Sequence, residues 1–307
     1  MLEGTQICVV VPAKNEEKFI GKVLENMPTF VDLVIVIDDK STDNTGKTAR
    51  AAEVHCETIV VEGSGAGVGA AIDLGYRTAI ERFGDETFLC AVMAGDAQMH
   101  PDDLISVCKP IIHNTADHVK GNRFLSPTIR RMPFQRRIAS KILSFGTSIA
   151  SAMRIKDSQC GFTATRDSVL KSWNWENSWK GYGYPNYWII ECSRLFFRVE
   201  EVEVKAIYGD EVSGIKPKKF FFTTFFILFK YHHSRAFYWL KNNPNIFSLL
   251  SLMFYITGWL AIIYPLISGL FLNGFQVIGL FSWTISSWID RAAKRYLSRK
   301  KSGRTRI

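Results

Sequence analysis

The sequence predicts an α/β domain with a parallel sheet, followed by an apolar segment that enters a membrane. Apolar, β-branched runs within residues 6–17, 32–45 and 88–104 each end in polar or acidic residues, as strands buried on both faces do. Helical spacing separates the first two runs, and a strand–helix–strand unit implies parallel pairing. Residues 246–289 then contain no Asp, Glu, Lys or Arg over 44 positions, whereas roughly 20 residues cross a bilayer as a helix.

The net charge of +9 is distributed unevenly along the 307 residues. Residues 1–211 carry 24 Lys and Arg against 28 Asp and Glu, a net charge of −4, whereas residues 212–307 carry 14 against one, a net charge of +13. The basic excess flanks the apolar block, and basic flanks of membrane spans face the cytoplasm and anionic lipid. We therefore expect membrane lipid, and no nucleic acid, as a partner. The six cysteines lack C-x-x-C spacing and imply neither a zinc site nor a disulfide framework.

The first strand, helix and second strand follow from residue type and spacing. In residues 6–17, Pro12 ends the pairing of the first strand because it has no N–H to donate. Residues 16–27 predict a helix because apolar side chains recur at helical spacing, at Phe19, Ile20, Val23, Leu24 and Met27. Residues 32–45 form the second strand and end in acids.

A glycine-rich stretch follows the predicted third strand. Residues 60–76 contain the pattern G-x-G-x-x-A at Gly65, Gly67 and Ala70. This pattern can indicate a dinucleotide site, but that fingerprint belongs after the first strand of a sheet. We therefore expect a loop that allows close approach of backbone and opens a helix.

The run 88–104 ends in Asp96, which is followed by Gln98, His100 and Pro101. A buried strand that ends in a carboxylate delivers an acidic group to the carboxyl edge of a sheet, where ligands of open α/β folds bind. The alternative is a surface turn that contains an Asp. The motifs elsewhere in the chain favour the binding site.

Three motifs together resemble a known enzyme family. PAKNEE after the first strand, IDDKSTDNT after the second and AGDAQMHP within residues 88–104 are similar, in order and spacing, to the signatures of the family 2 glycosyltransferases. The resemblance implies a nucleotide-sugar-binding α/β domain of the GT-A type. In such a domain the ends of the strands bind the nucleotide.

The resemblance implies nucleotide-binding roles for residues at these strand ends. The residues expected to line the base and ribose pocket are Pro12, Ala13 and Glu16, and those expected to hydrogen-bond the base are Asp39 and Asp38. For Asp38, Ser41 and Asp43 the capping of a turn or helix is the favoured alternative. The glycine loop is similar to the family's G-K-G-A-A-like turn, with Val68 in the Lys position, and includes Gly67 and Ala70 in the nucleotide site.

The same resemblance implies a divalent cation at Asp96. The family pattern is D-x-D followed by Gln, His and Pro, and Ala94 stands where the first Asp is expected. Mg²⁺ and Mn²⁺ take oxygen ligands and often use one or two carboxylates together with phosphate oxygens. We expect Asp96 and Gln98 to bind Mg²⁺ or Mn²⁺ on the diphosphate, which completes the site. His100 is interpreted as a residue of the turn.

Further motifs resemble the dolichyl- or polyprenyl-phosphate sugar synthases within this family: GNRF at 121–124, KDSQCGF at 156–162 and an S-x-I-x-P-like segment at 213–217. By this resemblance Arg123 and Arg136, with Arg137 beside them, bind the phosphate of the lipid acceptor, because guanidinium groups bind phosphate bidentately. A solvated basic face is the alternative for these arginines.

Two more site predictions follow from the same resemblance. Asp157 is expected beside the reacting centre, either as a catalytic base or to orient the acceptor or a neighbouring Arg; the second pKa of a phosphate monoester, about 6, makes a strong base unnecessary. Ser213 and Lys216 are expected in a loop that folds over the diphosphate. A basic loop at the membrane surface is the alternative for that segment.

The predicted domains are a cytosolic catalytic domain (1–217), an amphipathic juxtamembrane segment (218–244), two transmembrane helices (245–290) and a basic cytoplasmic tail (291–307). The juxtamembrane segment is expected to turn its cations Lys230, Arg235 and Lys241 outward, with a core helix as the alternative. A break at 265–269 divides the apolar block, and two crossings keep both basic flanks in the cytoplasm. The protein is thus predicted to be multi-pass in the cell membrane.

These motifs predict transfer of a single hexose from a UDP- or GDP-sugar to dolichyl or polyprenyl phosphate, with inversion and with Mg²⁺ or Mn²⁺. One alternative is a processive polysaccharide synthase, but the Arg-Trp pair of such enzymes does not occur in the sequence. Another is a catalytically silent membrane-bound sensor of nucleotide sugars, for which Ala94 is the supporting feature. The pattern selects neither the sugar nor an oligomeric state.

Overall fold

A computed structural model describes residues 1–208, 217–267 and 274–304 of the chain. Its centre is a seven-stranded mixed sheet. The strands are β1 (Gln6–Ala13), β2 (Leu33–Asp38), β3 (Glu57–Glu62), β4 (Phe88–Val92), β5 (His118–Asn122), β6 (Thr163–Arg166) and β7 (Val199–Glu203). Their order in the sheet is β3-β2-β1-β4-β6-β5-β7; the first four are parallel to one another, and β6 is antiparallel to both of its neighbours.

Ten α-helices are described. They are α1 (Ile20–Glu25), α2 (Thr45–Ala51), α3 (Val68–Phe83), α4 (Leu104–Ile112), α5 (Phe134–Ser151), α6 (Asp167–Lys171), α7 (Tyr184–Arg194), α8 (Pro217–Asn242), α9 (Ile246–Ile267) and α10 (Gly274–Arg304). Two short 3₁₀ helices, Pro101–Asp103 and Pro127–Arg131, precede α4 and α5. The predicted α/β class is confirmed, but the sheet is mixed and not wholly parallel, because β6 runs antiparallel to both of its neighbours.

The first two strands and α1 are shorter than the sequence runs that predicted them. Beyond the end of β1, Asn15 has φ +57°, and beyond the end of β2, Lys40 has φ +57°. A residue with positive φ cannot continue a strand. Residues 14–19 therefore form a turn in place of the first part of the predicted helix, and α1 begins only at Ile20.

Strand β1 is buried on both faces, as its continuous apolar run predicts. Ile7, Val9 and Val11 belong to one hydrophobic cluster, with α1 and α4. Cys8 and Val10 belong to the other, with α3 and α7. This alternation places β1 at the middle of the domain, so that the ends of β1, β2 and β4 meet at one edge.

Helices α9 and α10 pack antiparallel against each other. Ser251 donates a hydrogen bond to the backbone oxygen of Ser286 at 3.1 Å, and Ser286 donates to that of Ser251 at 2.8 Å. About two turns further along α9, Gly258 lies against Gly279, where a Cβ on Gly279 would be 3.0 Å from the backbone oxygen of Gly258. Small residues at such a crossing allow close approach of two helices in lipid.

Within the described residues, one helix is long and apolar enough to cross a membrane, Ile246–Pro265, with a mean hydropathy of 2.1. The predicted break at 265–269 was placed too early, because α9 continues through Pro265 to Ile267. Neighbouring helices and local adjustments satisfy the backbone group that a proline leaves without a partner in such helices. The remainder of the predicted break, residues 268–269, lies outside the described residues.

Helix α8 is joined to α10 by a buried ion pair. Arg235 is fully buried; its guanidinium donates to Asp290 at 2.5 and 3.2 Å, and its Nε donates to the backbone oxygen of Ala150 at 2.7 Å. The prediction that Arg235 points outward with Lys230 and Lys241 was therefore wrong. The reason is Asp290, the one acidic residue within residues 212–307, because it supplies a buried partner for Arg235 between the packed helices.

Candidate functional site

A cavity of about 660 Å³ opens at the carboxyl edge of the sheet. Pro12 from β1 and the residues that follow β4, Ala94, Asp96 and Gln98, line one side of it. Because ligands of open α/β sheets bind where the strand order reverses beside a central strand, this is the expected position of a substrate site. Ala13, Glu16, Asp38 and Asp39 lie at the same edge but do not line this cavity.

Asp39 organises the glycine loop before α3. It is 3% exposed, and its carboxylate accepts hydrogen bonds from the backbone N–H of Gly65 at 2.7 Å and of Gly67 at 3.2 Å. Gly67 has φ +114°, a conformation that other residues rarely adopt. The loop opens α3 at Val68, as expected. The described contacts of Asp39 thus hold the loop, and its contact with a base remains a prediction.

Asp38 and Asp43 cap the turn after β2. Asp38 accepts a hydrogen bond from the backbone N–H of Ser41 at 3.0 Å, and Asp43 accepts one from that of Thr45 at 3.0 Å. The hydroxyl of Thr45 in turn accepts from the backbone N–H of Glu16 at 2.8 Å. These bonds match the capping interpretation and join the turn after β1 to the start of α2.

Asp96 lies in a tight turn at the mouth of the cavity. Gly95 donates to the backbone oxygen of Pro12 at 3.1 Å, which fixes the turn to β1. Ala97 has φ +59°, and the carboxylate of Asp96 accepts from the backbone N–H of Gln98 at 3.0 Å. A side-chain bond of this kind stabilises the turn and holds the half-buried carboxylate at the cavity.

The donor set at this turn suits a hard cation. The carboxylate of Asp96 and the side-chain carbonyl of Gln98 supply oxygen ligands to the same cavity, which is the chemistry that Mg²⁺ and Mn²⁺ prefer. In the part of the chain that the structure describes, no group of three or more His, Cys, Asp and Glu side chains could hold a metal alone. His100 accepts from the backbone N–H of Asp102 at 3.3 Å, in agreement with its predicted place in the turn.

Arg123, which lines the cavity, forms a bidentate ion pair with Asp157. Arg123 donates from Nε to Oδ2 at 2.8 Å and from Nη2 to Oδ1 at 2.9 Å, and its backbone N–H adds a third bond at 3.0 Å. Asp157 is fully buried. Burial alone would raise the pKa of Asp157, but the hydrogen bonds and charge of Arg123 outweigh it and lower this pKa. An ionised carboxylate held in this way positions Arg123 and is a poor proton acceptor.

Arg136 reaches the same cavity, but Arg137 does not line it. The guanidinium of Arg136 lies 4.9 Å from the ring centre of Tyr208, and the hydroxyl of Tyr208 accepts from Arg123 at 3.2 Å. Arg137 instead donates to the backbone oxygens of Ile129 at 3.0 Å and Met132 at 3.2 Å. The structure therefore brings Arg123 and Arg136 together around Tyr208. Arg137 supports the loop before α5.

The predicted loop residues Ser213 and Lys216 lie outside the described residues. Their expected contact with the diphosphate remains a prediction. Tyr208 is the last described residue before that segment, and it stands beside Arg123 and Arg136.

Lys120 is a cavity residue that the sequence motifs did not single out. It is fully buried on β5, lines the cavity, and donates a hydrogen bond to the backbone oxygen of Cys160. Burial lowers the pKa of Lys120, since an ammonium is poorly solvated there. Lys120 lies three residues before Arg123, in a strand that is buried on both faces. A lysine at such a position could have indicated a functional residue.

A second group that the sequence motifs did not single out is centred on Asp73, and it holds the cavity residue Tyr184 in place. Asp73 accepts hydrogen bonds from Tyr184 at 2.7 Å, Ser178 at 3.0 Å and Lys180 at 2.7 Å. The backbone oxygen of Lys180 accepts from Ala70 at 3.0 Å, so this group also supports the glycine loop. Tyr184 lines the cavity.

An exposed apolar surface borders the cavity. On α5, Phe134, Ile138, Ile142 and Phe145 are 44–69% exposed and recur at helical spacing, while their neighbours Gln135 and Arg136 line the cavity. In the first half of α8 the exposed aromatic residues are Phe221, Phe222, Phe225, Phe226 and Phe229. Apolar surfaces of this size on a folded domain mark contact with a membrane or a partner.

Residues 8–173, more than half of the chain, match the model of the family described as Glycosyl transferase family 2. A UDP-N-acetylglucosamine–dolichyl-phosphate N-acetylglucosaminyltransferase of Methanococcus voltae is 29% identical over 220 residues, which cover 66% of this chain and 86% of the relative. Glycosyltransferase AglJ of Haloferax volcanii is 27% identical over 191 residues, covering 61% of this chain and 58% of that protein.

Among solved structures, glucosyl-3-phosphoglycerate synthase of Mycobacterium tuberculosis, in complex with Mn²⁺, UDP and glucosyl-3-phosphoglycerate, superposes with a TM-score of 0.58. The superposition covers 75% of this chain and 81% of that one, at 19% sequence identity. The same enzyme has been crystallised with Mg²⁺ and UDP. At this identity the likeness concerns the fold, and it confirms the predicted GT-A-like arrangement of the sheet and helices.

Proposed function

Because the chain belongs to glycosyl transferase family 2, we propose that it transfers a single hexose from a UDP- or GDP-sugar to dolichyl or polyprenyl phosphate. One observation carries the proposal. The basic pair Arg123 and Arg136 faces the same cavity as Asp96, and an exposed apolar surface on α5 and α8 borders that cavity. An anionic donor and an anionic acceptor with a long apolar tail need this combination.

On the donor side, the nucleotide lies over the ends of β1 and β2. The residues proposed to contact it are Pro12, Ala13, Glu16, Asp38, Asp39, Gly67, Ala70 and Asp96. Asp96 and Gln98 would hold Mg²⁺ or Mn²⁺, which would supply positive charge beside the departing diphosphate. With a single carboxylate at this position, the diphosphate would contribute ligands that the protein lacks.

On the acceptor side, Arg123 and Arg136 bind the lipid phosphate. Arg123 uses three of its five N–H groups on Asp157 and Tyr208, in the part of the chain that the structure describes, and two remain for phosphate. The acceptor phosphate is mostly ionised at neutral pH because its second pKa is about 6. It therefore attacks the anomeric carbon without a protein base, opposite the leaving diphosphate, and the configuration inverts. Asp157 acts by positioning Arg123.

The membrane attachment follows from the C-terminal helices. We propose that α9 and the apolar part of α10 cross the bilayer as a hairpin within residues 245–290, with the tail 291–307 and the catalytic domain 1–217 in the cytoplasm. Segment 218–244 then lies at the headgroups, and the exposed faces of α5 and α8 meet the same surface. The lipid phosphate enters the cavity without leaving the membrane. A C-terminal tail labelled from outside the cell would contradict this topology.

The experiment is incubation of the purified full chain with a polyprenyl phosphate, Mg²⁺ or Mn²⁺, and one labelled nucleotide sugar at a time. UDP-N-acetylglucosamine is the first donor to test, since the Methanococcus voltae relative is named for it, followed by UDP-glucose and GDP-mannose. A lipid-linked monosaccharide with inverted anomeric configuration supports the proposal. A polymer indicates a processive synthase, and nucleotide-sugar binding without any product indicates a sensor.

A further inference from the structure

A second cavity, of about 980 Å³, lies between the catalytic domain and the C-terminal helices. The segment after α5, the start of β7, the first turns of α9 and the C-terminal half of α10 contribute to its wall. It begins where α5 ends, at Ala152, whereas the catalytic cavity is lined by the first half of α5, as far as Leu143. Since a helix rises about 1.5 Å per residue, about 14 Å along the chain direction of α5 separates the two cavities.

One half of this second cavity is strongly basic. Among the described residues that line it, five are cationic and none is acidic: Arg154, Arg291, Lys294, Arg295 and Arg299. The Nε–H of Arg291 is buried and has no hydrogen-bond partner within the described residues. A buried donor without a partner is costly. The Nε–H of Arg291 is therefore a hydrogen-bond donor at this cavity that no described group of the protein satisfies.

The nearest carboxylate on α10 does not neutralise these cations. Asp290 is bound by the guanidinium of Arg235, at 2.5 and 3.2 Å. Burial and the charge of Arg235 lower the pKa of Lys294 to about 7. An anion between Lys294 and the arginines would restore the charged form of this lysine.

The other half of the cavity is apolar and lies at the end of the uncharged block. Phe247 and Leu250 come from the start of α9, and Trp288 and Ile289 from the end of the charge-free stretch of α10. Trp288 is 70% exposed. A cavity with an apolar half toward the hydrocarbon and a basic half toward the cytoplasm straddles the depth at which lipid phosphates lie.

From this arrangement we infer that the second cavity is a binding site for an anionic phospholipid, whose phosphate contacts Arg154 and Arg291 and whose acyl chains lie against Phe247, Leu250 and Trp288. The inference rests on the membrane attachment proposed above. Because Arg154 belongs to the catalytic domain and Arg291 to α10, the lipid joins the two parts. Free phosphate would leave the apolar half unfilled, and a zwitterionic headgroup would bring no net negative charge to Arg154 and Arg291.

The test is native mass spectrometry of the detergent-purified full chain, titrated with phosphatidylglycerol, phosphatidylcholine or inorganic phosphate. We expect the wild type to retain phosphatidylglycerol selectively. The double variant Arg154→Gln, Arg291→Gln should lose about fivefold in affinity for each cation removed, as is typical of a cation beside anionic lipid. The matched control Lys230→Gln, Lys241→Gln removes the same charge from exposed positions of α8 and should keep the selectivity.

The inference would be overturned if the double variant Arg154→Gln, Arg291→Gln still retained phosphatidylglycerol, or if the control variant lost as much of it as the double variant. It would also be overturned if inorganic phosphate bound as well as phosphatidylglycerol. Arg154 is exposed, so Arg154→Gln alone keeps the test valid if the double variant does not fold. Arg154→Lys and Arg291→Lys should restore binding. Flotation of the wild type with phosphatidylcholine vesicles tests the membrane attachment separately. A protein that does not float contradicts the attachment. A protein that floats but shows no lipid selectivity in mass spectrometry contradicts only the second site.

Discussion

Arg123 donates two hydrogen bonds, of 2.8 and 2.9 Å, to the carboxylate of Asp157, which is fully buried behind it. The backbone N–H of Asp157 donates in turn to Glu201 at 2.8 Å, which fixes the main chain behind the pair. The pair connects the end of β5 to the segment before β6. Its effect is to hold the guanidinium in one orientation at the cavity, where the remaining two N–H groups can meet an acceptor phosphate.

Asp157→Asn should raise the KM for the lipid phosphate at least tenfold, because Arg123 loses its charged partner and its orientation. The free energy of unfolding should fall by about 3–5 kcal/mol, as is usual when one member of a buried ion pair is removed. Steady-state kinetics with varied polyprenyl phosphate and thermal unfolding in detergent measure the two effects.

The pH profile of the same variant distinguishes positioning from base catalysis. If Asp157 positions Arg123, the residual activity of Asp157→Asn keeps the wild-type pH dependence. Loss of an acidic limb in the profile would identify Asp157 as a proton acceptor. Asp85→Asn, at an exposed position after α3, is the control for removal of a carboxylate elsewhere.

Asp96→Ala should lower kcat at least about 100-fold, the size of effect seen when a preorganised group that stabilises the charge of the transition state is removed. The converse variant, Ala94→Asp, adds a second carboxylate to the turn. It should lower the concentration of Mg²⁺ or Mn²⁺ that gives half-maximal activity, because the protein then supplies more of the ligands. Activity titrated with metal at saturating donor measures both. Full activity of Asp96→Ala would remove the metal role assigned to this residue.

The fold and the carboxyl-edge site could be predicted because they depend on local patterns. The run before Asp96 is buried on both faces, and the resemblance to family motifs placed Asp96 and Arg123 at one edge. Lys120 could not be found in this way, since its importance comes from burial that only the packed sheet creates. Arg235 was misplaced for a similar reason. Its partner Asp290 is 55 residues away along the chain, and no sequence pattern in either helix predicts the contact.

Arg235→Met should destabilise the full chain by about 3–5 kcal/mol, because Asp290 is left buried and unpaired. The double variant Arg235→Met, Asp290→Leu should recover most of this loss, since two apolar side chains can replace a buried ion pair at little cost. Thermal unfolding in detergent completes the double-mutant cycle, and Lys241→Met on the exposed face of α8 is the control. If the double variant is as unstable as the single one, the ion pair is not what joins α8 to α10.

His118 should make the protein less stable in mild acid. It is buried on β5, and its Nδ1 lies 2.9 Å from the hydroxyl of Thr165. Burial, with a smaller contribution from Lys120, lowers the pKa of His118 to about 3. The unfolded chain binds a proton at this histidine below about pH 6.5, whereas the native state does not until about pH 3. Between these values His118 therefore removes about 1.4 kcal/mol of stability per pH unit as the pH falls.

His118→Gln keeps a hydrogen-bonding side chain beside Thr165 but cannot titrate, so the pH dependence should weaken. We expect the difference in unfolding temperature between pH 7 and pH 5 to be smaller in His118→Gln than in the wild type. The exposed His55, replaced by Gln, provides the control and should leave the difference unchanged. Equal losses in the wild type and His118→Gln would mean that other groups, and not this histidine, determine the acid sensitivity. Since His118 lines the catalytic cavity, the same series read by activity also tests whether acid unfolding begins at the site.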